Sequence, residues 1–190
     1  LSRNLADIKT ITQYMTECKQ MGIRVLGPDI NESEQNFSSN KSGDIRFGLA
    51  AIKGVGEAAS ESIVKEREQN GAYKSIYDFM ERVNYAVVNR KCLENMANAG
   101  CFDSLIDFNR SRFFAVDANN VAFIDMLVRY GQRVQSDKNN AQQSLFGGMI
   151  DVSLQRPVMP PLQEWDRLFT LNQEKLVTGM YLSSHPLDEY

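Results

Sequence analysis

The feature that most constrains this chain is a turn bearing two glycines one residue apart, Ile52-Lys53-Gly54-Val55-Gly56-Glu57-Ala58-Ala59. Apolar residues precede it and a helical pattern follows, so the segment predicts a short helix, a tight turn and a second helix. Gly54 and Gly56 can both take positive φ and let another backbone come close. Val55 is expected to turn inward and lock the two helices together, and the small Ala59 permits a close helix crossing. The N–H groups of residues 54–57 have no intrahelical acceptor. They gather at the positive end of the second helix, an arrangement suited to a phosphate oxygen. Lys53, Gly54, Val55, Gly56 and Glu57 are therefore the candidate phosphate-binding residues. Gly56→Val is expected to clash inside the turn and abolish binding. No Gly-Lys-Ser/Thr follows, which excludes a P-loop. A plain corner between two helices, its glycines serving packing alone, is the competing reading.

The spacing resembles the h-x-G-h-G-x-x-x-A pattern (h, apolar) of the helix-hairpin-helix motif, which holds the sugar–phosphate backbone without reading bases. A second, weaker hairpin is expected around Leu93, Met96, Ala97, Ala99-Gly100 and Phe102-Asp103-Ser104-Leu105, since such units commonly occur in pairs that share a core. Lys74, Arg82, Arg90, Lys91, Arg110 and Arg112 lie in or near this region. From Arg46 to Arg112 there are ten Lys or Arg and nine Asp or Glu, so any basic face must arise by spatial sorting.

Elsewhere the periodicity is mostly helical. An apolar stripe at Leu5, Ile8, Ile11, Tyr14 or Met15 and Cys18 predicts a helix over residues 5–22, closed by Gly22. A short extended run at residues 23–26 follows, then a small hairpin in which Phe37 and Ile45-Arg46-Phe47 flank a polar turn. Helices are expected at residues 57–69, after an N-cap at Ser75, around Val88 to Met96, over residues 113–130, and over residues 162–182, the last burying Trp165, Leu168, Phe169, Leu176 and Met180. Residues 134–148 are aperiodic and rich in Gln, Asn and Gly, which reads as an exposed loop leading into a Pro-rich linker. The expected fold is mainly α: a tandem helix-hairpin-helix domain, a small N-terminal α/β segment (a helix plus short strands) and a C-terminal helix. The expected divisions are 1–45, 46–133, 134–161 and 162–190.

Composition removes several function classes. The 190 residues carry 21 Lys or Arg against 24 Asp or Glu, a net charge of −3, which excludes a uniformly basic nucleic-acid coat. No apolar run approaches the ~18 residues that span a bilayer, so no membrane partner is expected, and the opening residues do not read as a signal peptide. Cys18, Cys92 and Cys101 are odd in number and lack CxxC spacing, which points to a reducing, cytoplasmic setting. With His185 the only histidine, neither a metal site nor a catalytic triad is expected, and no catalytic residue is assigned. A chain that opens at Leu1 reads as a piece of a longer polypeptide.

Within the expected loop, Gln142-Gln143-Ser144-Leu145-Phe146 offers two adjacent apolar anchors and a polar residue three positions before them. Such a peptide can plug a hydrophobic pocket on a partner. It resembles the Q-x-x-L-F peptide by which bacterial replication proteins bind the sliding clamp (the beta subunit), which makes Gln142, Leu145 and Phe146 the candidate clamp-binding residues.

Taken together the chain resembles a C-terminal portion of the bacterial DNA polymerase III alpha subunits, the C-family replicative polymerases. The resemblance covers nearly all 190 residues. It rests on Glu17-Cys18 with Met21-Gly22-Ile23, Pro28-Asp29-Ile30-Asn31 with Ser33, and Ile45-Arg46-Phe47-Gly48-Leu49 leading into the glycine turn. Asp78-Phe79, Ala99-Gly100, Phe102-Asp103, the clamp-like peptide, and Tyr181-Leu182-Ser183 with His185-Pro186-Leu187 extend it. Ser184-His185-Pro186 departs from the family's Gly-His-Pro. The resemblance implies the end of the fingers region at residues 1–45, then a tandem helix-hairpin-helix domain that grips duplex DNA, then a helix leading toward an OB-fold. It also implies other replicase subunits as partners, and a Mg2+-dependent polymerase centre on a palm domain outside this chain. No cofactor is expected in this segment, and its lack of any Asp-x-Asp pair agrees with an absent palm. A helix-hairpin-helix domain of a repair protein and a structural spacer without DNA contact remain as alternatives.

Overall fold

The computed structural model describes residues 8–143 and 155–184. The chain is mainly helical with one small sheet. Helix α1 (Ile8–Gln20) buries Ile11 and half-buries Met15, and the chain turns out of it at Gly22, φ +73°, the glycine expected to close it. Three two-residue strands follow: β1 (Val25–Leu26), β2 (Ser38–Ser39) and β3 (Ile45–Arg46). The expected hairpin is present, with Ser38 opposite Arg46 and Ser39 opposite Ile45. The extended run adds a parallel strand on its other side, giving the order β1-β3-β2. Strands this short are held by their side chains. Arg24 donates twice to the Asp44 carboxylate, at 3.0 and 2.8 Å, while Asn40 Oδ1 accepts from the N–H groups of Ser42 and Asp44.

The segment before β2 is tied to the helices. Ser33, fully buried, accepts from the Asp29 N–H and donates to the Phe47 carbonyl. Asn31 forms a reciprocal pair with the Tyr73 backbone, and Arg67 reaches back to the carbonyls of Ile30 and Ser33. Residues on both sides of position 45 thus share one core, which includes Ile30, Phe47, Leu49, Phe79 and Leu93.

A single 3-10 turn (Leu49–Ala51) leads into α2 (Glu57–Asn70). Helix α3 (Ile76–Arg82) is capped by Ser75, whose Oγ accepts from the Asp78 N–H at 3.0 Å, and α4 (Arg90–Asn98) is capped by Asn89. Helices α5 (Arg110–Phe114), α6 (Phe123–Gln143) and α7 (Arg167–Thr178) follow among the described residues. A line of aromatic contacts runs through the core from Tyr73 to Phe79, Phe102 and Phe113.

Three expectations need correction. Residues 113–130 are not one helix. The chain turns at residues 117–120, where Asp117 Oδ1 accepts from the N–H groups of Asn119 and Val121 and Asn120 takes φ +61°. Asp and Asn close such turns with their own side chains, which outweighs the apolar spacing on either side. Residues 134–143 are not loop but the continuation of α6. Val134 packs inward, and Gln135 donates to the Glu81 and Val83 carbonyls at the C-terminal end of α3. Gln, Lys and Ala are good helix formers, and polarity alone hid the helix. Finally, α7 presents a different face from the one its apolar residues suggest. It buries Leu171, Glu174, Val177 and Thr178, whereas Leu168, Phe169 and Leu176 are exposed. Met180 is buried as expected, and Trp165 is half-buried, stacked on Phe114 at 5.5 Å.

Candidate nucleic-acid interface

The glycine turn joins the 3-10 turn to α2. Gly54 has φ +76°, a conformation that side-chain-bearing residues resist. Val55 faces inward and is fully buried, as expected. Its N–H is not a free donor, however, because it bonds the Ile52 carbonyl at 3.0 Å. Val55 therefore anchors the turn and does not offer its amide outward. Gly56 is the N-cap of α2 with φ −40° and ψ 174°, so it is not in the left-handed region, and a Cβ added there meets nothing within 4 Å. This corrects the expected clash of Gly56→Val. The glycine keeps open the space in front of the helix terminus, and an added side chain would occupy that space.

Lys53, Gly54, Gly56, Glu57 and Ala58 are all exposed. The N–H groups of Gly54, Gly56, Glu57 and Ala58 have no acceptor among the described residues. Ala59 is buried beside Ser60. It is Ser60, four positions past Gly56, that takes the motif's small-residue place, and its Oγ donates back to the carbonyls of Gly56 and Glu57. The result is a small concentration of outward donors at a helix terminus, with one lysine beside it and one carboxylate, Glu57, in the first turn.

The peptide units of the turn are held from two other elements. The Lys53 N–H donates to the Val177 carbonyl of α7 at 2.8 Å, and the Lys53 carbonyl accepts from Asn95 Nδ2 of α4 at 2.6 Å. Asn95 is buried. The sequence offered no sign of it, since a polar residue in an amphipathic helix reads as part of the wet face.

The second hairpin differs from the first. Gly100, with φ +88°, follows α4, but the N–H groups of Gly100, Cys101, Asp103 and Leu105 all bond nearby carbonyls. Arg110 lies over this turn and pairs with Asp103 and with the buried carboxylate of Glu174 on α7. Burial alone would lower the Arg110 pKa, but hydrogen bonds and attraction from Asp103 and Glu174 outweigh it and hold the guanidinium charged. Glu174 also accepts from the Ser183 N–H and hydroxyl. Four of the turn's amides are thus bonded nearby, those of Phe102 and Ser104 having no acceptor among the described residues, and Arg110 makes the turn a brace between α4, α5 and α7.

Most of the cations expected near the interface are also structural. Arg82 pairs with Glu66 and Asp78, Arg90 with Glu94 and Asp125, and Lys91 with Glu94. Arg112 contacts Met159 Sδ, and its Nε is buried with no partner among the described residues. Lys53 and Lys74 are exposed and make no ion pair among the described residues. Of the clamp-like peptide, Gln142 falls in the last turn of α6, while Leu145 and Phe146 lie outside the described residues. Among the described residues no group of three or more His, Cys, Asp or Glu could hold a metal ion, and no helix is long and apolar enough to cross a membrane.

Comparison with known proteins agrees with this geometry. The family model described as a helix-hairpin-helix motif matches residues 22–113, which span the sheet, both hairpins and the start of α5. DNA polymerase III subunit alpha of Caulobacter vibrioides is 31% identical over 189 residues, that of Treponema pallidum 35% over 190, and that of Borreliella burgdorferi 37% over 198. Each of these matches covers 100% of this chain and 16% of the relative, so the chain spans about one-sixth of the length of the proteins it matches. The whole described fold therefore falls inside the aligned region, and the chain is similar over its full length to one segment of the DNA polymerase III alpha subunits.

Proposed function

We propose that this chain is a duplex-DNA-binding segment of a replicative DNA polymerase, and that it also ties the polymerase to a sliding clamp. The observation that carries the DNA reading is the set of outward N–H groups at Gly54, Gly56, Glu57 and Ala58. Backbone donors at a helix terminus suit a phosphate oxygen, and Lys53 adds a full positive charge beside them. Such contacts position a protein on the duplex but carry no sequence information. They suit an enzyme that must move along any template. Because the Gly100, Cys101, Asp103 and Leu105 amides of the second turn are bonded to nearby carbonyls, the first hairpin supplies the phosphate contact and the second supplies rigidity.

The clamp tether rests on the peptide itself. Leu145 and Phe146 are adjacent apolar anchors preceded by Gln142, close after the end of α6. Two weak contacts on one chain reinforce each other through effective concentration, which reaches the millimolar range for short tethers. Polymer synthesis itself belongs, on this reading, to Mg2+ bound by a palm domain of the longer polypeptide. The setting is the cytoplasm, with duplex DNA, the clamp and other replicase subunits as partners.

The test is fluorescence anisotropy with a labelled duplex of arbitrary sequence, over a salt series, and a separate titration with purified clamp. The chain should bind duplex weakly, with log K falling against log salt at a slope of about −1 to −3, corresponding to one to three neutralised phosphates. Gly56→Val should weaken duplex binding while the fold persists, and Leu145→Ala with Phe146→Ala should abolish clamp binding and leave duplex binding unchanged. Absence of salt-dependent duplex binding would favour a spacer role. Clamp affinity unaffected by the double substitution would favour a helix-hairpin-helix protein of another kind.

A further inference from the structure

The backbone of Lys53 is the part of the phosphate-binding turn most tightly held by remote residues. Its carbonyl accepts from the buried Asn95 Nδ2 at 2.6 Å, and its N–H donates to the Val177 carbonyl at 2.8 Å. Both of its polar groups are therefore fixed by elements distant in sequence, α4 and the last turn of α7. The next residue, Gly54, carries the positive φ that aims the outward amides. A Cβ on Gly54 would come within 2.9 Å of the same Asn95 nitrogen.

We infer that Asn95 is a positioning residue for DNA binding: buried beneath the turn, it sets the direction in which the Gly54 and Gly56 amides point. This inference rests on the DNA reading and adds a specific residue to it. Asn95 occupies a face of α4 whose other buried residues are Cys92, Leu93, Met96 and Ala97. A buried amide in such a setting costs free energy unless it is bonded. The bond it makes goes to the carbonyl that immediately precedes the glycine. Without that bond the Lys53–Gly54 peptide, whose own N–H is the outward Gly54 donor, has no hydrogen bond among the described residues and can rotate. Donors that rotate lose the preorganisation that makes a phosphate contact favourable.

α7 takes part in the same support. Glu174 on its buried face binds Arg110, which pairs with Asp103 in the second turn, and one turn later Val177 accepts from Lys53. The second hairpin thus contributes to DNA binding by holding the first, through α4 on one side and α7 on the other.

The test uses the whole chain and a labelled duplex, with wild type, Asn95→Asp, Gly56→Val and the double variant. Asn95→Asp keeps the side chain's shape but replaces the donor with an acceptor facing the Lys53 carbonyl. If it does not fold, as judged by circular dichroism, Asn95→Ser, too short to bridge, takes its place. The expected result is duplex binding about tenfold weaker for the Asn95 variant at a temperature where it is fully folded. In the Gly56→Val background, where the approach to the turn is already blocked, the same change should produce no further loss. Equal affinity of wild type and the Asn95 variant, with wild type binding duplex normally, would overturn the inference and leave the DNA reading intact. Additive losses in the double variant would overturn it as well, since Asn95 would then act elsewhere than through the turn. A wild-type chain that does not bind duplex would overturn the DNA reading, and the inference with it.

Discussion

Gly131 lies in the interior of α6, where helix propensity alone predicts that Gly131→Ala stabilises the protein by about 0.8–1.0 kcal/mol. The packing predicts the opposite sign. A Cβ on Gly131 would overlap the Tyr85 hydroxyl and the Met80 carbonyl oxygen, and would lie 2.9 Å from the Met80 carbonyl carbon. These atoms belong to the close crossing of α3 and α6. The Tyr85 hydroxyl donates to the Met80 carbonyl at 2.7 Å and cannot retreat without giving up that bond. Overpacking of this kind costs about 1–3 kcal/mol, and a lost hydrogen bond adds about 0.5–1.5 kcal/mol. After the propensity gain is subtracted, the net destabilisation is about 1–3 kcal/mol. For a chain of this size each kcal/mol moves Tm by about 2–4 °C, so a fall of roughly 4–8 °C is expected at the middle of that range. Thermal melts followed by circular dichroism measure it directly. Tyr85→Phe removes one of the two obstructing oxygens, so in that background Gly131→Ala should cost less than in wild type. A rise in Tm for Gly131→Ala alone would refute the reasoning, because it would mean the helices can separate without loss.

Further outcomes follow from single side chains. Glu57 places a carboxylate at the same helix terminus that faces the phosphate, so Glu57→Gln should strengthen duplex binding by about two- to fivefold, the equivalent of ~0.3–1 kcal/mol at a helix end, as read by anisotropy at low salt. Hydrogen bonds from Arg24 hold the Asp44 carboxyl below the usual carboxylate range, so its contribution to stability is present at neutral pH and is lost as pH falls through the folded value. Urea melts should therefore show Asp44→Asn less stable than wild type at pH 7, with the difference shrinking below about pH 4. Burial pushes the Cys92 thiol up to about 12 and the Cys101 thiol well above its ordinary value. In the folded protein both should react with a thiol reagent at pH 8 far more slowly than after denaturation, and a fast reaction of either without unfolding would contradict the packing.

Much of the fold was legible because local chemistry and tertiary packing agree. The Gly22 stop, the Ser75 cap, the hairpin around residues 38–46 and the inward Val55 each follow from a preference that nothing distant overrides. Legibility failed where a distant partner decides. Glu174 is buried because Arg110 and Ser183 receive it, and apolar counting therefore misassigned the face of α7. Gln135 extends α6 because the carbonyls of Glu81 and Val83 need a donor, and no local pattern records that need. The glycine turn was recognisable from its spacing, but the different roles of its glycines were not. Gly54 requires its backbone angle, whereas Gly56 leaves room in front of the helix. Asn95, 42 residues from its partner Lys53, carries no sequence signature of its role.

The central claim is that the backbone amides of the first hairpin, and not those of the second, meet the phosphates of DNA. A nitrogen-15 NMR titration of the chain with a short duplex reads each amide separately. The claim predicts that the Gly54, Gly56, Glu57 and Ala58 resonances shift progressively with added duplex and return on addition of salt, while those of Val55, Gly100 and Cys101 stay nearly fixed. Shifts confined to Gly100, Cys101 and their neighbours, with the residues around Gly54 unmoved, would contradict it.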